Sequence, residues 1–147
     1  MPLYPKRHIV SVSDDKTLKF WRCHRSDNSE NASSATSFSE PKWKCVCTLS
    51  GYHGRCIYSV SWSKVNDRIA SGGGDNVIRI FERDEEAENE SVESGDSMPI
   101  YKLIASVDDA HSVSDVNCVQ WSSVEKFGAL LASAGDDGIV KIWKLVE

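Results

Sequence analysis

The sequence lacks an apolar stretch that could cross a membrane, and it lacks a secretory signal. No apolar run in the 147 residues approaches the length of roughly 20 residues that a membrane helix requires. The beginning of the chain, MPLYPKRHIVSV, has no long apolar core of the kind that signal peptides carry. Hydrophobic residues still make up 40% of the chain, a globular balance. We therefore expect a soluble intracellular protein.

The sequence also lacks a basic cluster. The net charge is −5, and the stretch ERDEEAENESVESGD (82–96) alone contributes −7, so the remaining residues together carry +2. Nucleic-acid surfaces require clustered lysines and arginines. We therefore expect protein partners, with neither nucleic acid nor membrane as a ligand.

The five cysteines do not suggest a disulfide framework. An odd number of cysteines without a secretory signal argues against paired thiols. Cys45 and Cys47 are two positions apart and would share one face of a strand, but zinc and iron–sulfur sites usually need four ligands. Cys56 and Cys118 lie on other segments. We predict that the cysteines are small apolar residues and that there is no metal site and no cofactor; a metal- or cluster-binding protein is the alternative.

The chain repeats itself, and this repeat predicts the fold. Three segments align without gaps, each with a short apolar strand, a serine, an aspartate four residues later and an aromatic residue six beyond. They are HIVSVSDDKTLKFW (8–21), RIASGGGDNVIRIF (68–81) and LLASAGDDGIVKIW (130–143). No segment has a convincing helical period, so we expect an all-β protein.

Further strands fill the gaps between these segments. IYSVSW (57–62) and VNCVQW (116–121) alternate in polarity and end in tryptophan, as half-buried strands do. WKCVCTLSG (43–51) and YKLIASVDD (101–109) follow the repeated segment after a polar insert. A complete unit therefore has four strands, named a, b, c and d in chain order.

Four short antiparallel strands with an aspartate turn between b and c resemble one blade of a WD40 β-propeller. The resemblance implies a partial propeller of about two and a half four-stranded blades. The predicted domains are a partial blade of strands b, c and d (1–51) with a polar insert at 24–42, a complete blade (52–109) with an acidic insert at 82–99, and a final blade (110–147) that lacks strand d. We interpret both inserts as flexible loops at the blade edge.

The resemblance also implies a buried polar relay in each blade. In the WD40 pattern the turn aspartate bonds a histidine of the d–a loop, the histidine meets the strand-b serine, and the serine meets the strand-c tryptophan. By position, the aspartates are Asp15, Asp75 and Asp137, the serines Ser11, Ser71 and Ser133, the tryptophans Trp21 and Trp143, and the histidines His53 and His111.

This chain departs from the relay pattern at three points. Phe81 stands where the other units have tryptophan, so we expect a shorter relay in the second unit. His111 precedes Trp121 by ten residues, one more than the spacing of His53 from Trp62. The first unit has neither a strand a nor a loop histidine.

Three patterns also suggest other chemistry. A serine, histidine and aspartate together could form a catalytic triad, but the set recurs in register with the fold, so we predict no catalytic residue. The glycines at 72–74 lack the lysine and helix of a phosphate-binding loop, and we interpret them as turn residues. The pairs Asp14–Asp15 and Asp136–Asp137 could hold a metal, but we interpret each pair as one structural and one exposed aspartate.

One stretch carries a more specific resemblance. PKWKCVCTLSGYHGRCIYSVSW (41–62), with AHSVSDVNCVQW and LLASAGDDGIVKIWK, is similar to the C-terminal blades of the WD-repeat subunit of the cytosolic iron–sulfur cluster targeting complex. The resemblance implies a C-terminal fragment of a seven-bladed, non-enzymatic adaptor in the cytoplasm and also in the nucleus. Such an adaptor joins a small cluster-carrier protein and a large helical-repeat scaffold, and delivers clusters to cytosolic and nuclear apoproteins. The alternative is a generic WD40 adaptor in signalling or ubiquitin-ligase complexes.

Propellers often bind partners through the face that carries the d–a and b–c loops. Tyrosine and arginine are enriched at binding hot spots. The partner-binding candidates on this face are Tyr52, Arg55, Tyr58, Asp14, Asp115 and Asp136. The alternative is that each is an ordinary solvated loop residue.

Overall fold

The computed structural model describes residues 8–24, 41–90 and 99–146, and these residues are mostly β-strand. The strands are β1 (His8–Val12), β2 (Leu18–His24), β3 (Lys42–Leu49), β4 (Ile57–Trp62), β5 (Ile69–Gly73), β6 (Ile78–Arg83), β7 (Tyr101–Val107), β8 (Val116–Trp121), β9 (Leu130–Gly135) and β10 (Val140–Lys144). One short helix, α1 (Glu85–Glu90), follows β6, and a 3-10 turn (Glu125–Phe127) precedes β9.

The strands form three antiparallel sheets in chain order. The first sheet has the order β1-β2-β3, the second β4-β5-β6-β7 and the third β8-β9-β10. Within each sheet, every strand is bonded to the next along the chain. The predicted fold class, an all-β partial propeller, is confirmed, and the three sheets do not close into a ring. The polar insert predicted at 24–42 lies, apart from its first residue and last two, outside the described residues.

The acidic insert does not begin as a loop, contrary to the prediction. Residues Glu85–Glu90 form the helix α1, whereas residues 91–98 lie outside the described residues. Glu88 is buried and bonds both Nε and Nη2 of Arg83, at 2.8 and 2.7 Å. It also accepts the N–H of Ile100 at 2.9 Å. This bidentate ion pair ties the helix to the sheet.

The three hairpins between strands b and c share one turn geometry. In each, the aspartate carboxylate accepts the backbone N–H two residues later, and the residue between them has a positive φ. The bonded pairs are Asp15 and Thr17 at 3.0 Å, Asp75 and Val77 at 3.4 Å, and Asp137 and Ile139 at 3.0 Å. The intervening residues are Lys16 (66°), Asn76 (64°) and Gly138 (73°). The turn therefore fixes each carboxylate at the same end of its sheet.

The apolar core lies between the sheets. Side chains two positions apart on a strand share a face, and in β2 this buries Leu18 and Phe20. One cluster joins the first and second sheets: Leu18, Phe20, Val46, Leu49, Ile57, Ile69, Phe81 and Tyr101. A second cluster joins the second and third sheets: Ala70, Ile78, Ile80, Ala110, Val116, Val119, Trp121 and Leu131. Each sheet therefore depends on its neighbour for burial.

The interpretation of the three glycines as turn residues is wrong for two of them. Gly72 and Gly73 lie inside β5, and neither has a positive φ. A Cβ atom on Gly72 would lie 2.6 Å from Cγ1 of Val116 in the third sheet. Glycine is required here because a neighbouring sheet approaches the backbone closely.

We predict that Gly72→Ala destabilises the protein by about 1–3 kcal/mol, because the added methyl group overpacks the interface between the second and third sheets. Val116 is fully buried and stiff at its β-carbon, so it cannot rotate away at low cost. The free energy of unfolding, measured by urea denaturation, checks this. Gly54→Ala is the control, since a Cβ atom added to Gly54 would meet nothing within 4 Å; equal losses in both variants would refute the packing argument.

Candidate protein-binding site

The second sheet brings Asp75, His53 and Ser71 together. The Nδ1 atom of His53 lies 3.1 and 3.0 Å from the two carboxylate oxygens of Asp75. Its Nε2 atom lies 2.7 Å from the hydroxyl oxygen of Ser71. The N–H of Gly54 donates to the same carboxylate at 3.0 Å. With a carboxylate on one ring nitrogen and a hydroxyl on the other, the imidazole is held in one orientation.

The third sheet repeats this arrangement in spite of its longer loop. The Nδ1 atom of His111 lies 2.9 and 3.0 Å from the Asp137 carboxylate, and its Nε2 atom 2.7 Å from the Ser133 hydroxyl. The indole N–H of Trp143 donates to the same hydroxyl at 2.8 Å. A turn absorbs the extra residue, with Ser112 at a φ of 58°.

Among the described residues, the first sheet contains one of these bonds. The indole N–H of Trp21 donates to Ser11 at 2.9 Å. Asp15 is exposed, and its carboxylate accepts the hydroxyl of Thr17 at 2.7 Å. The structure therefore does not bring Asp15 into contact with the Ser11–Trp21 pair.

Arg79 contributes to the second sheet in a way that the sequence reasoning missed. Its guanidinium donates to Asp75 at 3.0 Å and lies 3.3 Å from Nδ1 of His53. Phe81, which replaces the tryptophan, supplies no hydrogen bond and is fully buried instead. The sequence did carry a signal for Arg79, because a basic residue follows each turn aspartate by four positions: Lys19, Arg79 and Lys141. The two lysines behave differently, since Lys19 is 4.0 Å from its aspartate and Lys141 donates to the Ala110 carbonyl.

The serine, histidine and aspartate have the distances of a catalytic triad but not its accessibility. Ser71 is 0% and Ser133 2% exposed, and both histidines are buried. A nucleophilic hydroxyl must reach the substrate. This burial, together with the indole bond to Ser133, favours a structural role.

Burial and hydrogen bonding shift the pKa values of Asp75 and His53 in the second sheet. Burial by itself would raise the pKa of Asp75, but the hydrogen bonds from His53 and Gly54 outweigh it and hold that pKa below 3.8. Burial lowers the pKa of His53 below 6.5, although the hydrogen bond and charge of Asp75 act in the opposite direction. At neutral pH the pair is therefore a neutral imidazole beside a carboxylate.

Four of the six partner-binding candidates form one continuous surface, which we call the rim patch: Arg55, Tyr58, Asp115 and Asp136. The hydroxyl of Tyr58 donates to Asp115 at 3.1 Å and thereby joins the second and third sheets. The N–H of Asp136 donates to the Asp115 carbonyl at 3.2 Å. Arg55 donates to the carbonyl of Gly74, and a Cβ atom on Gly74 would lie 2.9 Å from the Tyr58 hydroxyl.

The other two candidates lie apart from the rim patch. The ring of Tyr52 packs edge-on against Phe81, with ring centres 5.0 Å apart, so it belongs with the core of the first two sheets. Asp14 is exposed in the turn between β1 and β2, in the first sheet.

Four of the five cysteines are half-buried. The Sγ atom of Cys45 lies 3.6 Å from both the Cys47 carbonyl and the Thr48 hydroxyl. Cys47 packs against the first core cluster, and burial raises the pKa of its thiol. Cys56 is half-buried and Cys118 exposed, and all five thiols are free. Across residues 8–24, 41–90 and 99–146, no three potential metal ligands are grouped to hold an ion.

The stacked antiparallel sheets, with an aspartate–histidine–serine contact in two of them, define a repeat protein of the β-propeller class. The model of the family described as WD domain, G-beta repeat matches residues 43–82 and 101–144. The chain belongs to this WD40 family. In its described part, neither helical segment has the length and hydrophobicity that a membrane crossing demands.

Curated relatives are similar over most of the chain. It is 48% identical over 127 residues to "Probable cytosolic iron-sulfur protein assembly protein Ciao1" of Drosophila mojavensis, covering 86% of this chain and 35% of the relative. The protein of the same name from Culex quinquefasciatus is 39% identical over 139 residues, covering 95% and 38%. The Homo sapiens protein "Probable cytosolic iron-sulfur protein assembly protein CIAO1" is 43% identical over 110 residues, covering 75% and 30%. The chain thus spans between 30% and 38% of the length of these relatives.

We predict that Ser133→Ala lowers the free energy of unfolding by about 1–3 kcal/mol, because it leaves His111 and the Trp143 indole without their shared partner. Ser11→Ala is the matched comparison, since Ser11 accepts one indole bond in a half-buried setting. We expect a smaller loss there. Urea denaturation of both variants provides the measurement, and a loss for Ser11→Ala as large as that for Ser133→Ala would contradict a role for the buried relay.

We also predict that stability falls as the pH is lowered from 7.5 to 5. The folded-state pKa of His53 lies below its ordinary 6.5, so the unfolded chain binds the proton first and the stabilisation is lost as the pH falls through this range. The folded-state pKa of Asp75 is also lowered, so the free energy of unfolding continues to fall as the pH drops below 3.8, the ordinary pKa of this group. Denaturation at pH 7.5, 6.5 and 5.5 checks the slope. A folded His53→Gln variant should show a weaker dependence; an unchanged slope would assign the effect to other groups.

Proposed function

We propose that this chain is part of a non-enzymatic WD40 scaffold in cytosolic iron–sulfur protein assembly. The observation that carries the proposal is the 48% identity over 127 residues to a relative named for that process. In this proposal the scaffold joins a cluster-carrier protein and a helical-repeat scaffold protein, and it delivers clusters to cytosolic and nuclear apoproteins. Its place of action is the cytoplasm, with the nucleus as a second compartment.

The geometry of the loop face supports a protein-binding role. Tyr58 is 46% exposed, yet its hydroxyl is held by Asp115 across two sheets. A rigid aromatic side chain loses little conformational freedom when a partner covers it. Arg55 is held by the Gly74 carbonyl in the same way. Loops on a rigid scaffold that present tyrosine and arginine are a common form of binding surface.

The proposal assigns the cluster to the partner proteins as cargo. Cys45 and Cys47 are half-buried, and their strand pairs with β2 along its length. The contribution of this chain is therefore to position proteins, and it needs no thiol ligand from Cys45 or Cys47.

The test is purification of the tagged chain from cells, with quantification of bound subunits of the cytosolic iron–sulfur assembly machinery by mass spectrometry. We expect these subunits to be enriched. Tyr58→Ala should lower their recovery by more than about tenfold, as truncation of a hot-spot residue does. Glu125→Gln, an exposed change away from the rim patch, is the control and should leave recovery unchanged.

Two outcomes would contradict parts of this proposal, the assembly role and the binding surface. One is enrichment of signalling or ubiquitin-ligase subunits in place of the assembly machinery, which would favour a generic WD40 adaptor. The other is unaltered recovery with Tyr58→Ala, which would remove the rim patch as the binding surface while leaving the assembly role intact.

A further inference from the structure

A cleft of about 160 Å³ lies between the first and second sheets, at the opposite end of β4 from Tyr58. Its floor is aromatic. The rings of Phe20 and Tyr101 are stacked with centres 4.2 Å apart, and Trp62 meets both edge-on at 6.0 and 6.4 Å. These rings are packed against one another, so the cleft is a depression with an aromatic floor and polar walls, and not a cage around a cation.

Charged groups line the rim of this cleft, and most are already engaged. Asp67 accepts the indole N–H of Trp62 at 2.6 Å and keeps its negative charge, which acts on Arg83. Arg83 is bound bidentately by Glu88, at 2.8 and 2.7 Å.

Arg22 is the exception. Its side chain is half-buried, and its Nε atom lies 3.4 Å from Nε2 of His8. In the described ranges, no carboxylate oxygen lies within 4.0 Å of its guanidinium. The charge of Glu88 acts on Arg22 from a distance, but that carboxylate is committed to Arg83. The cleft therefore has an apolar floor and one positive charge that no carboxylate of the described residues pairs with directly.

We propose that this cleft binds an acidic segment of a partner protein, with an apolar side chain on the aromatic floor and a neighbouring carboxylate on Arg22. Guanidinium and carboxylate groups form strong, directional pairs. The volume also favours a side chain, since sites for small organic ligands usually measure about 300–1,000 Å³. This site is separate from the rim patch, and it does not depend on iron–sulfur assembly being the correct process.

The test uses the 147-residue chain and two acetylated, amidated peptides, Gly-Glu-Phe-Glu-Gly and its neutral analogue Gly-Gln-Phe-Gln-Gly. Binding is followed by the NMR signal of the Trp62 indole N–H in the isotope-labelled protein. We expect a saturable shift with the acidic peptide and roughly tenfold weaker binding of the neutral one, because one charged hydrogen-bonding pair is lost.

Three variants test the assignment to Arg22. Arg22→Gln should weaken binding of the acidic peptide by roughly tenfold. Arg22→Lys should have an intermediate effect, because it keeps the charge but loses the planar fork. Lys126→Gln, an exposed change in the 3-10 turn between β8 and β9, is the control and should bind as the unaltered chain does.

The proposal is wrong if the Trp62 signal does not saturate, or if the neutral and acidic peptides bind equally. It is also wrong if Arg22→Gln leaves the affinity unchanged. A further variant replaces residues 91–98, which include Glu93 and Asp96, with glycine and serine. Peptide binding only in that variant would identify the chain's own acidic insert as the occupant and overturn the assignment to an external partner.

Discussion

The contact between neighbouring sheets is the constraint on which the rest of this structure depends. Leu18 and Ile78 occupy equivalent positions in β2 and β6, and both are fully buried by the next sheet. In β10 the equivalent position is Val140, and Ile142 corresponds to the buried Phe20 and Ile80. No further sheet of the described residues lies against Val140 and Ile142, and they are 68% and 65% exposed. Burial of one such side chain contributes about 1.5–3 kcal/mol. The adjacent sheet therefore decides which of these similar apolar positions belong to the core.

The polar relay depends on this packing as well. The contact between sheets excludes water from His53 and His111, and hydrogen bonds in such surroundings are strong when complete and costly when incomplete. The second sheet shows how one loss is offset. Phe81 removes the indole donor, and Arg79 adds a charged bond at the aspartate end. The relay is thus a set of positions that different donors can complete.

Repetition made much of the fold predictable from the sequence. The alternating strands predicted at 57–62 and 116–121 coincide with β4 and β8, because each pattern is local to a few residues. Gly72 could not be explained in this way, since its neighbour Val116 lies 44 positions away in the sequence. The helix at Glu85–Glu90 was missed for the same reason, because the Ile100 N–H that helps to hold Glu88 follows the insert. Local patterns therefore predict the strands, while contacts between distant segments determine the exceptions.

The rim patch and the aromatic cleft lie at opposite ends of one strand. Tyr58 lies near the start of β4 and Trp62 ends it, a separation of roughly 13 Å along the strand. Between them, Ser59 and Ser61 accept the backbone N–H groups of Val119 and Trp121, both at 3.0 Å, and so attach β4 to the third sheet. A strand fixed in this way cannot move one end without the other. Two proteins bound at its two ends would be held at a constant separation, and this is the physical requirement for a scaffold that joins partners.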